Sequence, residues 1–245
     1  MKAPGSGRLI GIGVGPGDPE LLTLKAARML AEADVVAHFA KAGNASNARR
    51  IVAQHLRPGV EELPLLYPVT TEVPTSTPAY RDAIRDFYDE SAASVSRHLD
   101  QGLTVAVLSE GDPLFYGSYM HLHVRLAPRY RVEVVPGVTA MSGCWSLAGA
   151  PIAQGDDVFV VLPATLPEAE LERRLLDADA AVMMKLGRHL EKVRRVLART
   201  GRLSRAIYVE RGTMQDERIV PLAECRASEG AYFAMVLIPG QGRQI

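Results

Sequence analysis

Apolar positions along this chain come in two rhythms. Short unbroken apolar runs predict buried parallel strands, and apolar residues recurring every third or fourth position predict amphipathic helices. The two alternate along the whole chain, which is the signature of α/β layering. Residues 9–14 form the first predicted strand, and Leu22, Ala26, Met29 and Leu30 follow at helical spacing behind Thr23, a helix-capping residue type. Residues 35–39 predict a second strand, 45–56 a helix stopped by Pro58 and Gly59, and 60–66 a third strand of mixed character. Ile84, Tyr88, Ser91, Val95 and Leu99 mark one face of a long helix that Gly102 ends, and 103–109 is the fourth strand. A helix from about residue 117 to 126 leads to a fifth strand at 132–135. The second half predicts strands at 157–162, 180–186, 206–210 and 231–238, helices at 167–176 and 188–200, and a loop at 211–218. Two domains are expected, residues 1–137 and 138–245.

The fourth strand runs out into Glu110-Gly111-Asp112-Pro113-Leu114-Phe115-Tyr116-Gly117. Glycine permits close backbone approach or positive φ, aspartate is a short acceptor, and proline starts a helix. By itself this makes a good strand-to-helix turn. A second copy, Gly17-Asp18-Pro19, follows the first strand, and the carboxyl edge of an open α/β sheet is where such folds bind ligands. The fifth strand ends similarly, in Pro136-Gly137-Val138-Thr139-Ala140, offering free backbone N–H groups and a hydroxyl. Residues 67–79 carry three prolines and no period, so they predict a long loop, either a lid or a solvated linker.

Composition narrows the classes. The 245 residues carry 28 basic and 28 acidic side chains, so net charge favours no polyanionic partner. No apolar run reaches the ~20 residues of a membrane span, and the first residues lack a signal-peptide core, so the cytoplasm is expected. Cys144 and Cys225 are too far apart for a metal or redox motif and are expected as buried thiols. Gly11, Gly13, Gly15 and Gly17 miss the dinucleotide fingerprint because Pro16 or Asp18 occupies its last position. The phosphate-binding loop and the nucleophile elbow are absent from the sequence. His121 and His123 fall on different faces of their helix, which argues against a metal pair. The basic run at 188–199 contains Leu190, Val193, Val196 and Leu197 as a core face, so its charges predict a solvated surface before a nucleic-acid site.

The combination of the Gly11–Ala26 segment, Glu110–Gly117, Val135–Ala140, Met184-Lys185-Leu186-Gly187 and Glu210-Arg211-Gly212-Thr213 resembles the tetrapyrrole methyltransferases of cobalamin synthesis. The resemblance runs nearly the length of the chain. It implies two α/β domains, the first with a mostly parallel five-stranded sheet and the second with a mixed sheet, with the active-site cleft between them. It implies S-adenosylmethionine as methyl donor, no protein-bound metal, a small-molecule tetrapyrrole as acceptor and a homodimer. The segments around Glu110 and Glu210 most resemble members that methylate carbon 20 of precorrin-2, metal-free or cobalt-bound. By position in the motifs, the implied cofactor contacts are Pro16, Glu110, Gly111, Asp112, Phe115, Thr139, Ala140, Leu186, Gly212, Thr213 and Ala234. Tyr116 and Glu110 are candidates for managing a proton by location alone, and Tyr116, Arg81, Arg211 and Arg218 for gripping the acceptor and its carboxylates. The loop at 67–79 is expected to cover the acceptor. Two alternatives stay open: the same fold acting on another ring carbon or on a modified histidine of a protein, and a non-catalytic nucleotide- or tetrapyrrole-binding module.

Overall fold

The computed structural model describes residues 7–68 and 77–241. It divides into two compact units, Met1–Thr139 and Ala140–Ile245.

The first unit is built on β1 (Arg8–Gly13), β2 (Val35–Lys41), β3 (Glu61–Tyr67), β4 (Thr104–Ser109) and β5 (Arg131–Val135). These five strands pair in parallel, in the order β3-β2-β4-β1-β5. Alternate residues of each strand feed opposite faces. Leu9, Val35, Ala37, Val105 and Val107 pack with α3 (Pro78–Asp100) and α4 (Tyr119–Leu126). Ile10, Ile12, Val36, Ala106 and Leu108 pack with α1 (Leu24–Glu32) and α2 (Asn47–Ile51). The strand after β1 lies on one side of it and the strand after β4 on the other, so the chain reverses direction between these neighbours. An open α/β sheet opens its ligand crevice at such a reversal.

Thr23 caps α1 as its residue type predicts, its hydroxyl accepting the Ala26 N–H at 3.1 Å. The expected helix at 45–56 is two pieces, α2 and a 3-10 turn at Ala53–His55. Ser46 begins it, and the β-branched pair Ile51 and Val52 ends the α-helical part, where such residues crowd the preceding turn. Pro64 sits in β3, an edge strand, where a missing N–H is tolerated.

In the second unit α5 (Ala140–Leu147) precedes a sheet ordered β6-β7-β10-β8-β9, from β6 (Phe159–Pro163), β7 (Ala180–Met184), β8 (Ile207–Glu210), β9 (Arg218–Pro221) and β10 (Ala234–Ile238). Only β6 and β7 pair in parallel there; the other pairings are antiparallel. Between β6 and β7 lies α6 (Glu168–Leu176), and α7 (Leu190–Arg199) follows β7. Leu190, Val193, Val196 and Leu197 of α7 are fully buried, as their spacing predicts. Its basic side chains are structural: Arg195 and Arg199 pair with Glu168 on α6, and Arg194 donates to the Leu222, Cys225 and Ala227 carbonyls. Strand β9 corrects the expectation of a loop running through Arg218. Cys144 and Cys225 are free and buried, and among the described residues no helix is long and apolar enough to cross a membrane.

Candidate active site

Three loops of the first unit meet at glycines. A Cβ on Gly137 would lie 2.1 Å from the Gly111 carbonyl oxygen and 2.8 Å from the Gly13 Cα, and one on Gly13 only 2.5 Å from the Gly137 nitrogen. Side chains are therefore barred at Gly13 and Gly137, where the loops after β1, β4 and β5 come into main-chain contact. Gly111 adopts φ of 64° and donates its N–H to the Gly15 carbonyl at 2.8 Å, where Gly15 has φ of 80°. Neither conformation suits a residue with a Cβ.

Asp112 locks this arrangement. One carboxylate oxygen accepts the Leu114 N–H at 2.9 Å, forming the turn into the next helix, and the other accepts the Gly137 N–H at 3.1 Å. Asp18, in the other Gly-Asp-Pro copy, makes the matching local bond, accepting the Glu20 N–H at 2.9 Å to cap a 3-10 turn. Both aspartates thus act as short acceptors for backbone, the role their residue type predicts.

Beside this cradle, Pro16 is buried and Phe115 half-buried in edge-on contact with Tyr116. Ala48 and Asn47, at the start of α2, lie close enough to the Glu110 carboxyl to favour its ionised form. Desolvation by the surrounding protein pushes Glu110 up to about 6, while Ala48, the Arg50 charge and Asn47 pull the other way. Glu110 as a residue is exposed to solvent, so the rise reflects the density of protein on one side of the carboxyl and not its enclosure. Thr139 is half-buried just past β5, and Ala140 opens α5. Arg81 lies exposed on the first turn of α3. The expected acceptor-covering loop falls largely on residues 69–76, outside the described residues. His121 stacks on Tyr88 with ring centroids 4.1 Å apart, and His123 approaches the Tyr119 hydroxyl, so the two rings serve different neighbours.

In the second unit Gly212 is buried against α5: a Cβ there would stand 2.6 Å from Cys144 Sγ. Thr213 follows, its N–H donating to Glu217 at 3.0 Å. Ala234 opens β10 opposite Glu210. Arg211 is exposed and paired with Asp216, and Arg218 begins β9 opposite Glu210. The Leu186 side chain is 1% exposed and belongs to the core, so a cofactor contact there falls to its main chain.

Among the described residues, the non-glycine residues with positive φ are Tyr116, Lys185, Arg211 and Thr213. Each lies in one of the motifs singled out above. Such conformations cost about 1–3 kcal/mol each and persist where surrounding structure enforces them, commonly at functional sites. Lys185 was not among the expected site residues, and neither were Gly13, Gly137, Asn47 and Ala48. Gly13 and Gly137 gave a partial signal, a glycine where a strand ends. Asn47 and Ala48 gave none, because the distance along the chain from Glu110 hides their closeness.

A parallel sheet with a glycine-lined carboxyl edge, joined to a second mixed-sheet unit with strained strand ends, defines a class. The family model of the tetrapyrrole (corrin/porphyrin) methylases matches residues 8–225, and the chain belongs to that family. It is 62% identical over 240 residues to a precorrin-2 C(20)-methyltransferase of Sinorhizobium sp, covering 98% of both chains. It is 28% identical to a cobalt-precorrin-2 C(20)-methyltransferase of Salmonella typhimurium, covering 87% of each. Among solved structures, uroporphyrin-III C-methyltransferase from Thermus thermophilus complexed with S-adenosylhomocysteine matches with a TM-score of 0.65 and 26% identity, over 95% of this chain and 92% of that one.

Proposed function

We propose that this protein transfers the methyl group of S-adenosylmethionine to carbon 20 of precorrin-2 in cobalamin biosynthesis. The observation that carries the reading is the 62% identity, across 98% of both chains, to a protein of that name. The lower identity to a cobalt-precorrin-2 enzyme favours the metal-free acceptor.

The first unit fits the donor. Gly13 and Gly137 let the three loops close on one another through main chain, and the carboxyl edge so formed receives the donor in this reading. S-adenosylmethionine supplies a methyl group already activated on a sulfonium. The protein's task is then alignment and exclusion of water, worth about 7–11 kcal/mol when geometry is well held. Pro16, Glu110, Gly111, Asp112 and Phe115 of the first unit, with Thr139 and Ala140, bind the donor in this reading. The Leu186 main chain, Gly212, Thr213 and Ala234 of the second unit contribute as well. Arg81, Arg211 and Arg218 grip the acceptor's carboxylates, and Tyr116 contacts its ring.

The methylated carbon must shed a proton when its new bond to carbon forms. Glu110 and Tyr116, which flank the turn after β4, are the two groups in this reading placed to take it. The same reading includes a cytoplasmic homodimer, which light scattering on the purified protein tests.

Incubation with precorrin-2 and S-adenosylmethionine labelled in its methyl group is expected to yield a pigment heavier by that one methyl, placed on carbon 20 by nuclear magnetic resonance. Methylation at another carbon, or donor binding without turnover on precorrin-2, would overturn the assignment.

A further inference from the structure

We propose that Tyr208 is a positioning residue whose hydroxyl latches the segment entering β10 to the end of β8, and so sets the main chain around Gly187, Arg211 and Ala234. The inference rests on reading Leu186, Gly212, Thr213 and Ala234 as donor contacts, and it names what holds them in place.

Strand β10 lies between β7 and β8 and runs antiparallel to both, so its entry falls where those two strands leave the sheet. Residues 230–233 make that entry, and three hydrogen bonds tie them to the departing ends. Gly230 donates its N–H to the Gly187 carbonyl at 2.8 Å, and the Phe233 carbonyl accepts the Arg211 N–H at 2.7 Å. Both of these ties are main chain. The third runs through a side chain, since the Tyr208 hydroxyl accepts the Ala231 N–H at 3.3 Å and donates to Glu210 Oε2 at 3.2 Å.

Tyr208 is suited to this by where its ring sits. The ring is fully buried in the core that also holds Leu186 and Ala234, which gives the hydroxyl a fixed place. Burial raises the phenol above its ordinary range, so the proton stays on oxygen and is donated to Glu210. Packing leaves little play beside the latch: a Cβ on Gly230 would stand 2.7 Å from the Leu186 Cβ. Lys185 and Arg211, on the two departing ends, hold positive φ, a conformation that lasts where neighbouring structure enforces it.

The test is Tyr208→Phe, which keeps the ring and removes the latch. Titration calorimetry with S-adenosylmethionine is expected to show a Kd raised roughly three- to tenfold, the scale of one net hydrogen bond, and hydrogen exchange without donor should quicken at the Ala231 amide. Ala231→Pro removes the partner N–H, should weaken donor binding likewise, and carries the test should Tyr208→Phe fail to fold. A folded variant with wild-type affinity, even one that melts earlier, would overturn the inference, because the hydroxyl would then serve stability alone. An Ala231 amide that exchanged in Tyr208→Phe at the wild-type rate would overturn it equally. In the wild type the donor is expected to slow exchange at residues 212–213 and 230–234. Absence of that protection would instead remove the reading of second-unit donor contacts.

Discussion

The Asp112 carboxylate accepts the Gly137 N–H across 3.1 Å, tying the loop after β4 to the loop after β5. With its other oxygen it shapes its own turn through Leu114. One side chain thus fixes two of the three loops that meet at the cradle, and its nearest duty is to protein. Asp112→Ala is expected to weaken S-adenosylmethionine binding at least tenfold by calorimetry while far-ultraviolet circular dichroism stays unchanged. Unaltered affinity would mean that the brace does not set the cradle.

Gly137→Ala tests the cradle itself. The added Cβ would meet the Gly111 carbonyl oxygen at 2.1 Å, and backbone cannot step aside as a flexible side chain can. Overpacking of this kind costs about 1–3 kcal/mol. A fall in Tm with loss of donor binding is expected, and a variant that melts and binds normally would show that the loops have slack.

Gly212 meets a different obstacle, a side chain, and so should be rescuable. Gly212→Ala would press on Cys144 Sγ at 2.6 Å and is expected to lower Tm. Adding Cys144→Ala removes that sulfur and should return part of the loss, leaving the 3.1 Å approach to Val209. Strictly additive effects in this double-mutant cycle would exclude the contact.

Glu133 provides a pH signature of the first unit. Ion pairs with Lys25 and Arg8 hold its carboxyl down to about 2, below the ordinary value near 4.3. Because the folded value is the lower one, the stabilisation is present above the ordinary range and is lost as pH falls toward 2. The pair is partly exposed, so its worth stays near or below about 1 kcal/mol. Glu133→Gln is expected to lower Tm at neutral pH and to converge with the wild type in acid, as scanning calorimetry would record. A constant difference at every pH would break the link to ionisation.

How far the sequence could be read depended on the range of each interaction. The Thr23 cap and the buried face of α7 are local, set by residues within a turn or two, and their spacing gave them directly. Strand β9 was missed because Arg218, Ile219 and Val220 are largely exposed and end at a proline; only pairing with β8 makes them a strand. Leu186 was legible as part of a motif but not as a core residue, since the motif marks where the chain goes and not which way a side chain turns. Glu110 was legible as a candidate, whereas its neighbours Asn47 and Ala48 come from the turn after another strand. The residues that meet at the cradle, Gly13, Gly111 and Gly137, were each visible as turn formers. Their mutual contact depends on the strand order β4-β1-β5, which no single segment encodes.

That contact restricts how the protein could diversify. Main chain offers no substituents to exchange, so a larger residue at Gly13 or Gly137 has to be accommodated by moving whole strands apart. Evolution and engineering alike are left to vary outward-facing positions such as Arg81, Arg211 and Arg218, while the spacing of β4, β1 and β5 stays fixed.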